Sequence, residues 1–226
     1  GWESNTSNWM SWYKRDDQYS REKLSGDIEK LNAWYLNRGH VDFSLDTTQV
    51  AISPDKKDMY LTAGITEGEV YTISSVTVSG DTVLPKEEIE QIVAFIKPGA
   101  TFSRGLLEIA TEAVTARLSN IGYAFATVNP VPAIDRDKRT VGIEMQVQPG
   151  PRVNVRRIVF KGNTRTADAV LRREMRQFEG SWYSQAAIDR SKIRLQRLGY
   201  FEAVEVETPP VSGSNDQVDV VYNVKE

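Results

Sequence analysis

Few residues in this chain have the types and spacing that chemistry demands. Cysteine is absent, which excludes disulfides, thiolate metal sites and thiol nucleophiles together and leaves the redox compartment undecided. The single histidine, His40, follows Arg38-Gly39. That position recurs at Ile121-Gly122-Tyr123 and Leu198-Gly199-Tyr200, so a structural residue after a helix C-cap explains it better than a catalytic base with no partner constellation. Glu87-Glu88 stands where a helix start favours acidic side chains. Asp135, Asp137 and Lys138 read as a solvated turn, because their spacing is wrong for a calcium loop. Asn5-Thr6-Ser7 fits a glycosylation sequon, which has no bearing if the chain is bacterial. No phosphate loop, nucleotide fingerprint, metal-ligand cluster or nucleophile motif occurs, and no cofactor is expected.

Charge supplies the one asymmetry. Arg152, Arg156, Arg157 and Lys161 are followed by Arg172, Arg173 and Arg176, with a lone acid, Glu174, among the last three. The chain as a whole has 28 basic and 31 acidic residues, a net charge of -3, and within Arg152 to Lys161 a single aromatic, Phe160, stands among the basic residues, so nucleic acid is not the expected partner. A solvated face or a protein-docking face fits better. Helical spacing turns Leu171 and Met175 inward and leaves Arg172, Arg173, Arg176 and Glu174 on or near the exposed side.

The elements that must carry these residues repeat. Ser79-Gly80-Asp81 and Lys161-Gly162-Asn163 are 82 residues apart, as are the boundary segments Ile65-Thr66-Glu67-Gly68 and Val147-Gln148-Pro149-Gly150. Between boundary and glycine, Tyr71, Ile73, Val76 and Val78 fall on Val153, Val155, Ile158 and Phe160. Both copies break strand alternation at the same place, which implies a bulge or bend. A helical stretch follows (Ile89, Ile92, Val93 and Ile96; Leu171, Met175 and Phe178), then a second helix opening at Ser103 or Ser184 as N-cap. The second helix carries Leu107, Ala110, Val114, Leu118 and Ile121 in one copy and Ile188, Leu195 and Leu198 in the other. Two strands close the unit. The last of them alternates through Val141, Ile143, Met145 and Val147, or Val218, Val220, Tyr222 and Val224, after turns at Asp135-Arg136-Asp137 and Ser212 to Asp216. In the first unit the corresponding turn is Ser53-Pro54-Asp55.

The fold class is therefore α+β, with tandem β-α-α-β-β units whose two helices pack on one face of a three-stranded mixed sheet. Units at 69–150 and 151–226 are complete; 1–68 lacks its opening strand and most of its first helix, residues up to about 19 standing in for the rest of that helix and its linker. Both ends read as cuts from a longer protein. With 226 residues and 40% apolar content the units have material for real cores, and no run approaches a membrane-spanning helix.

A tandem of such units, each about 80 residues long, resembles the POTRA family of periplasmic domains found beside outer-membrane barrels. Ala169 to Arg176, Leu198-Gly199-Tyr200-Phe201 and Gln217 to Glu226 are similar to the last POTRA domain of the outer-membrane protein assembly factors. Asp17-Gln18-Tyr19, Lys23 to Asp27 and Asp55-Lys56-Lys57 are similar to the third, which makes the middle unit the fourth. The resemblance implies a non-enzymatic periplasmic scaffold, anchored by a C-terminal barrel, for unfolded outer-membrane proteins and partner lipoproteins. It implies docking of the lipoprotein BamD on the last unit through Glu174, Arg173, Arg176 and Gln177, and of BamB at the first, partial unit. It also implies strand addition at the edge formed by Asp42, Phe43, Ser44, Leu45, Asp46, Thr47, Thr48, Gln49 and Val50. The alternatives are the arm of another secretion or translocation barrel, similar to TamA, and a periplasmic enzyme with an unrecognised site, which a deep pocket with paired titratable groups would favour.

Overall fold

The structure, a computed structural model, describes residues 12–52 and 59–226. The middle repeat runs β3 (Thr72–Gly80), α2 (Lys86–Val93), α3 (Arg104–Ser119), β4 (Thr127–Asp135) and β5 (Thr140–Gln148). The last runs β6 (Asn154–Lys161), α4 (Asp168–Arg173), α5 (Gln185–Arg197), β7 (Ala203–Glu207) and β8 (Gln217–Lys225). Before them come α1 (Trp12–Leu36), β1 (Ser44–Ile52) and β2 (Met59–Thr66). The sheet orders β3-β5-β4 and β6-β8-β7 are the same arrangement, with each repeat's final strand in the centre.

In the last repeat β6 is parallel to β8 and β7 antiparallel to it. A parallel neighbour needs a crossover connection, and the helix pair supplies it. The central strand is the most deeply buried: Val218, Val220 and Tyr222 are fully enclosed in one core with Leu171, Met175, Ile188 and Leu195 from the helices. Burial pushes the Tyr222 hydroxyl up to about 12. The broken alternation shared by both copies is a bulge here, with the β6–β8 register shifting between Val155 and Arg157. Just past it, the Ile158 N–H donates to Glu179 Oε1 at 2.7 Å. That hydrogen bond, against the opposing effect of burial, holds the Glu179 carboxyl below the usual range. Gly80 and Gly162, both at φ 88°, end the opening strands. A Cβ at either would run into a backbone carbonyl, that of Val147 or Val224, so the sheet itself demands glycine.

Ser184 caps α5 by accepting the Ala187 N–H at 3.3 Å, and Ser103 accepts the Leu106 N–H at 3.4 Å at the start of α3. The first helices are shorter than apolar spacing suggested. α2 stops at Val93, although Ile96 remains buried, and α4 stops at Arg173. Beyond α4, Met175 turns inward but Phe178 is 63% exposed. The ladder tightens there, the Glu174 and Met175 N–H groups donating three residues back to Leu171 and Arg172, and the next N–H, that of Arg176, donates to the Ser191 hydroxyl on α5 at 2.8 Å instead of continuing the helix. A second correction concerns the first repeat, where α1 is one continuous helix from Trp12. No proline or glycine occurs between Trp12 and Ser25, and the charged, long side chains there are good helix formers, so the expected linker before residue 20 has nothing to break it. The turn at Ser53-Pro54-Asp55, the Asp55-Lys56-Lys57 segment and Asn5-Thr6-Ser7 lie outside the described residues.

Backbone contacts gather the chain into two bodies. One holds the first repeat through Ser74 with Pro98–Leu107 and Ile134–Val141; the other holds Ser75–Lys97, Glu108–Ala133 and Gly142–Glu226. Each contains one joint between successive repeats, and the two joints use the same hydrogen bonds. In the first, the Tyr71 N–H donates to the Gly39 carbonyl at 2.9 Å and the Gly105 N–H, at the start of α3, donates to Asn37 Oδ1 at 2.7 Å. In the second, the Val153 N–H donates to the Gly122 carbonyl at 2.8 Å and the Ala186 N–H, at the start of α5, donates to Asn120 Oδ1 at 2.8 Å. Helix starts leave N–H groups without intrahelical acceptors, and an asparagine from the preceding repeat satisfies one of them each time.

Candidate functional site

The sheet of the first repeat has two described strands, β1 and β2, paired antiparallel from Ser44↔Thr66 to Ile52↔Met59. Among the described residues the outer edge of β1 has no strand beside it, so its backbone donors and acceptors form a template for an extended segment. Of the nine residues expected to form that edge, Ser44 to Val50 lie in the strand; Asp42 and Phe43 do not. Asp42 accepts the Tyr71 hydroxyl at 2.6 Å and an Arg136 N–H at 3.5 Å, and Phe43 stacks on Tyr35 with ring centroids 4.2 Å apart. They anchor the strand's entry. The ladder shifts between Leu45 and Thr47, so Asp46 sits in a bulge and the simple alternation of Phe43 and Leu45 with acidic and polar neighbours ends there. Asp46 accepts the Thr66 hydroxyl at 2.6 Å and that of Ser44 at 2.9 Å, which lowers its carboxyl.

The last repeat separates its four proposed docking residues. Arg173 and Arg176 are exposed. Glu174 is the C-cap of α4, and its partner is none of the neighbouring arginines: Arg194 of α5 reaches Oε2 at 2.7 Å, with the two side chains 41% and 21% exposed. The local sequence suggested an ordinary pair within one helix. The observed pair crosses helices; Arg173 and Arg176, one and two residues away, would not face Glu174 even on a longer helix, where neighbours are three or four residues apart. Arg194 Nε is itself buried without a partner among the described contacts.

Gln177 is not an exposed contact. It is 2% exposed, and its amide nitrogen donates to Ser181 Oγ at 2.7 Å, to the Trp182 carbonyl at 3.0 Å and to the Phe178 carbonyl at 3.3 Å, while its oxygen accepts the Ser184 N–H at 2.9 Å. It braces the loop between α4 and the N-cap of α5 from inside, and this burial does not fit the expected direct contact of Gln177 with a partner. Beside it, Ile158, Arg172, Met175, Gln177, Phe178 and Glu179 line a shallow open recess with the exposed Phe178 ring at its rim.

Three members of the basic run are occupied within the chain. Arg156 makes two hydrogen bonds to Asp219, at 2.9 and 2.5 Å, which lower the Asp219 carboxyl. Arg172 meets Asp168, Glu179 and the Ile158 carbonyl, and Arg152 donates to the Ile121 carbonyl at 2.9 Å while lying over the Trp182 ring. His40 sits edge-on to Tyr35 with Nδ1 3.3 Å from the Gly68 carbonyl. Glu88 pairs with Arg117 at 2.7 Å, and Asp135 accepts the Lys138 N–H, its carboxyl lowered chiefly by that bond. No group of three or more His, Cys, Asp or Glu side chains among the described residues is placed to hold a metal, and no described helix is long and apolar enough to cross a membrane. Sequence reasoning missed Arg194 and the joint residues Asn37 and Asn120. The asparagines had a signal, since each stands two residues before the glycine that ends its helix.

Two β-α-α-β-β repeats in one register, preceded by a helix and two strands in the order in which such a unit closes, define a tandem of POTRA domains. The family model described as "Surface antigen variable number repeat" matches residues 4–68, 71–150 and 153–226, and the chain belongs to this family. It is 31% identical over 217 residues to the outer membrane protein assembly factor BamA of Neisseria meningitidis serogroup B, covering 96% of this chain and 27% of that protein. To BamA of Buchnera aphidicola it is 33% identical over 208 residues, covering 92% and 34%. The chain thus spans about a third or less of the curated relatives it matches. Among solved structures, the crystal structure of Haemophilus influenzae BamA POTRA3-5 matches with a TM-score of 0.81 and 38% identity, over 90% of this chain and 80% of that one. BamA from Haemophilus ducreyi lacking POTRA domains 1-3 matches at 0.62 and 40% identity, over 69% and 29%.

Proposed function

We propose that this chain is the periplasmic part of an outer-membrane β-barrel assembly factor, a binding scaffold without catalytic chemistry. Its three units correspond to the third, incomplete here, and the fourth and fifth POTRA domains, with bounds at 1–68, 69–150 and 151–226. The observation that carries the reading is the likeness, in order and over 90% of the chain, to the H. influenzae POTRA3-5 structure. The β1 edge takes extended segments of unfolded β-barrel precursors by strand addition, with BamB held at the same repeat. The face bearing Arg173, Glu174 and Arg176 holds BamD, and Gln177 acts there only by keeping the loop in shape. Docking at Glu174 exchanges the intramolecular Arg194 partner for a guanidinium of the lipoprotein, a charge-assisted bond of similar strength.

The test separates docking from internal pairing. Purified BamD is titrated onto the whole chain carrying Glu174→Gln or Arg194→Met, with thermal unfolding followed in parallel. Docking expects Glu174→Gln to weaken binding by about thirtyfold or more, the size of a lost charged interface contact, and Arg194→Met to leave binding unchanged or strengthen it. Equal losses in both variants that follow their loss of stability would make Glu174 a structural residue and end the docking role.

A further inference from the structure

β4 holds the place in the middle repeat that β1 holds in the first: the second-last strand of its repeat, nine residues long, at the edge of its sheet. It differs in carrying Pro130 and Pro132. A proline has no N–H to give a ladder, and within a paired strand its ring fits only where the nitrogen points away from the partner. With β5 on one side of β4, both nitrogens face outward. Outward N–H groups recur every second residue, so the outer edge of β4 consists of Val128, Pro130, Pro132 and Ile134. Two of these four positions have no donor, and the two rings stand where an incoming carbonyl would approach. The strand would otherwise attract partners, since Val131 is 39% and Ile134 42% exposed.

The outer side of β2 also has no strand beside it among the described residues; the edges of β7 and of the two opening strands are restricted in different ways. β7 has only five residues, two of them glutamates, and Pro209 and Pro210 follow it. The opening strands are covered at their starts by their own loops: the Ile73 N–H donates to the Ala100 carbonyl and the Gly99 N–H to the Ile73 carbonyl, and Val155 does the same with Ser181 and Gly180. β1 is long and contains no proline.

We infer that Pro130 and Pro132 close the outer edge of β4 to strand addition, so that an extended segment of an unfolded β-barrel precursor is directed to β1. The inference rests on the strand-addition reading of β1 and specifies which edge accepts the client. Its probe is a synthetic peptide of alternating apolar and polar residues, matched in length to β4 and bearing one photoreactive residue. The peptide is irradiated with the whole chain, and the labelled positions are mapped by mass spectrometry. In the unmodified chain the label falls on β1, with β4 labelled about tenfold less; Pro130→Thr with Pro132→Thr raises β4 labelling about tenfold or more, as two restored hydrogen bonds predict. Pro132→Thr alone, with an intermediate gain, serves if the double variant fails to fold. Equal labelling of β4 and β1 in the unmodified chain overturns the inference, as does a folded double variant whose β4 stays dark while β1 is labelled. A double variant that gains label on β4 while β1 stays dark keeps the proline guard and removes strand addition at β1. Absence of label from both strands in every variant removes both.

Discussion

Replacing Gln177 by methionine keeps the volume of the side chain and removes its polar end. The amide closes the loop from both sides, holding the Ser181 hydroxyl and the Trp182 carbonyl through its nitrogen and the Ser184 N–H through its oxygen. An NH2 group has two hydrogens, so the three acceptors within reach share two bonds, and the oxygen adds a third. Ser181 keeps a partner in the Phe178 carbonyl at 2.7 Å, which leaves the Trp182 carbonyl and the Ser184 N–H as the groups orphaned by the change. At about 1 to 1.5 kcal/mol each for partly enclosed groups, Gln177→Met destabilises the loop and the start of α5 by about 2 to 3 kcal/mol. Hydrogen exchange reads this directly. Amides of residues 178–190 in the whole chain should exchange roughly 30- to 150-fold faster if local opening controls them. Arg173→Gln, at an exposed position, should change the same amides by no more than about two- to threefold. Wild-type exchange in Gln177→Met would refute the brace. If BamD binding were lost at the same time, Gln177 would have to reach the surface and act as a contact.

Gly162→Ala forces a methyl group against the Val224 carbonyl in the central strand. It should lower the unfolding midpoint of the last repeat by several degrees or more, about 2 kcal/mol or above, in a thermal melt; an unchanged midpoint would mean that β6 and β8 shift apart easily. Asn120→Ala removes the acceptor of the Ala186 N–H and should cost about 0.5 to 1 kcal/mol, within the range of helix caps, seen as faster exchange at Ala186 with β4 and β5 unaffected. Glu226 gives a pH dependence. Burial acts to raise its carboxyl, but hydrogen bonds from the Thr164 hydroxyl and the Arg165 and Thr166 N–H groups outweigh that and hold it at about 2. A folded value below the unfolded one adds stability above the ordinary carboxylate range, lost as pH falls through about 4.5 towards 2. Amide shifts of Arg165 and Thr166 should therefore titrate near pH 2, and titration at an ordinary carboxylate value would contradict those bonds.

The repeat and most of its internal order were legible because they rest on local rules. Ser103 and Ser184 are N-caps read from residue type, the bulge near Ile158 shows as a skipped beat in an apolar pattern, and the closing strands alternate because one face is buried. What escaped depends on contacts between segments far apart in sequence. Nothing near Arg173 announces that the helix ends there, and the acceptor that takes up the Arg176 N–H beyond its end is Ser191 on the next helix. Glu174 is surrounded by arginines in sequence and chooses Arg194 in space. Gln177 looked like a surface residue at the end of a charged run; its burial follows from the loop folding over it once α4 has stopped. Asp42 and Phe43 continued an alternating pattern, yet they are spent on Tyr71 and Tyr35 before the strand begins.

The paired joints have a consequence for growth by duplication. The donors on the downstream side are main-chain N–H groups, at Tyr71 and Gly105 or Val153 and Ala186, which any residue except proline provides. The upstream side needs a glycine carbonyl and an asparagine two positions earlier, Asn37-Arg38-Gly39 or Asn120-Ile121-Gly122. Half of each coupling is thus indifferent to sequence, and a copied unit inherits a working socket without any compensating change in its neighbour. In the last repeat the same register reads Arg197-Leu198-Gly199. Arginine has donors and no acceptor, so a helix start arriving there would meet a cation facing its own positive end. The register thus distinguishes the units that offer the next helix start a side-chain acceptor from the one that does not.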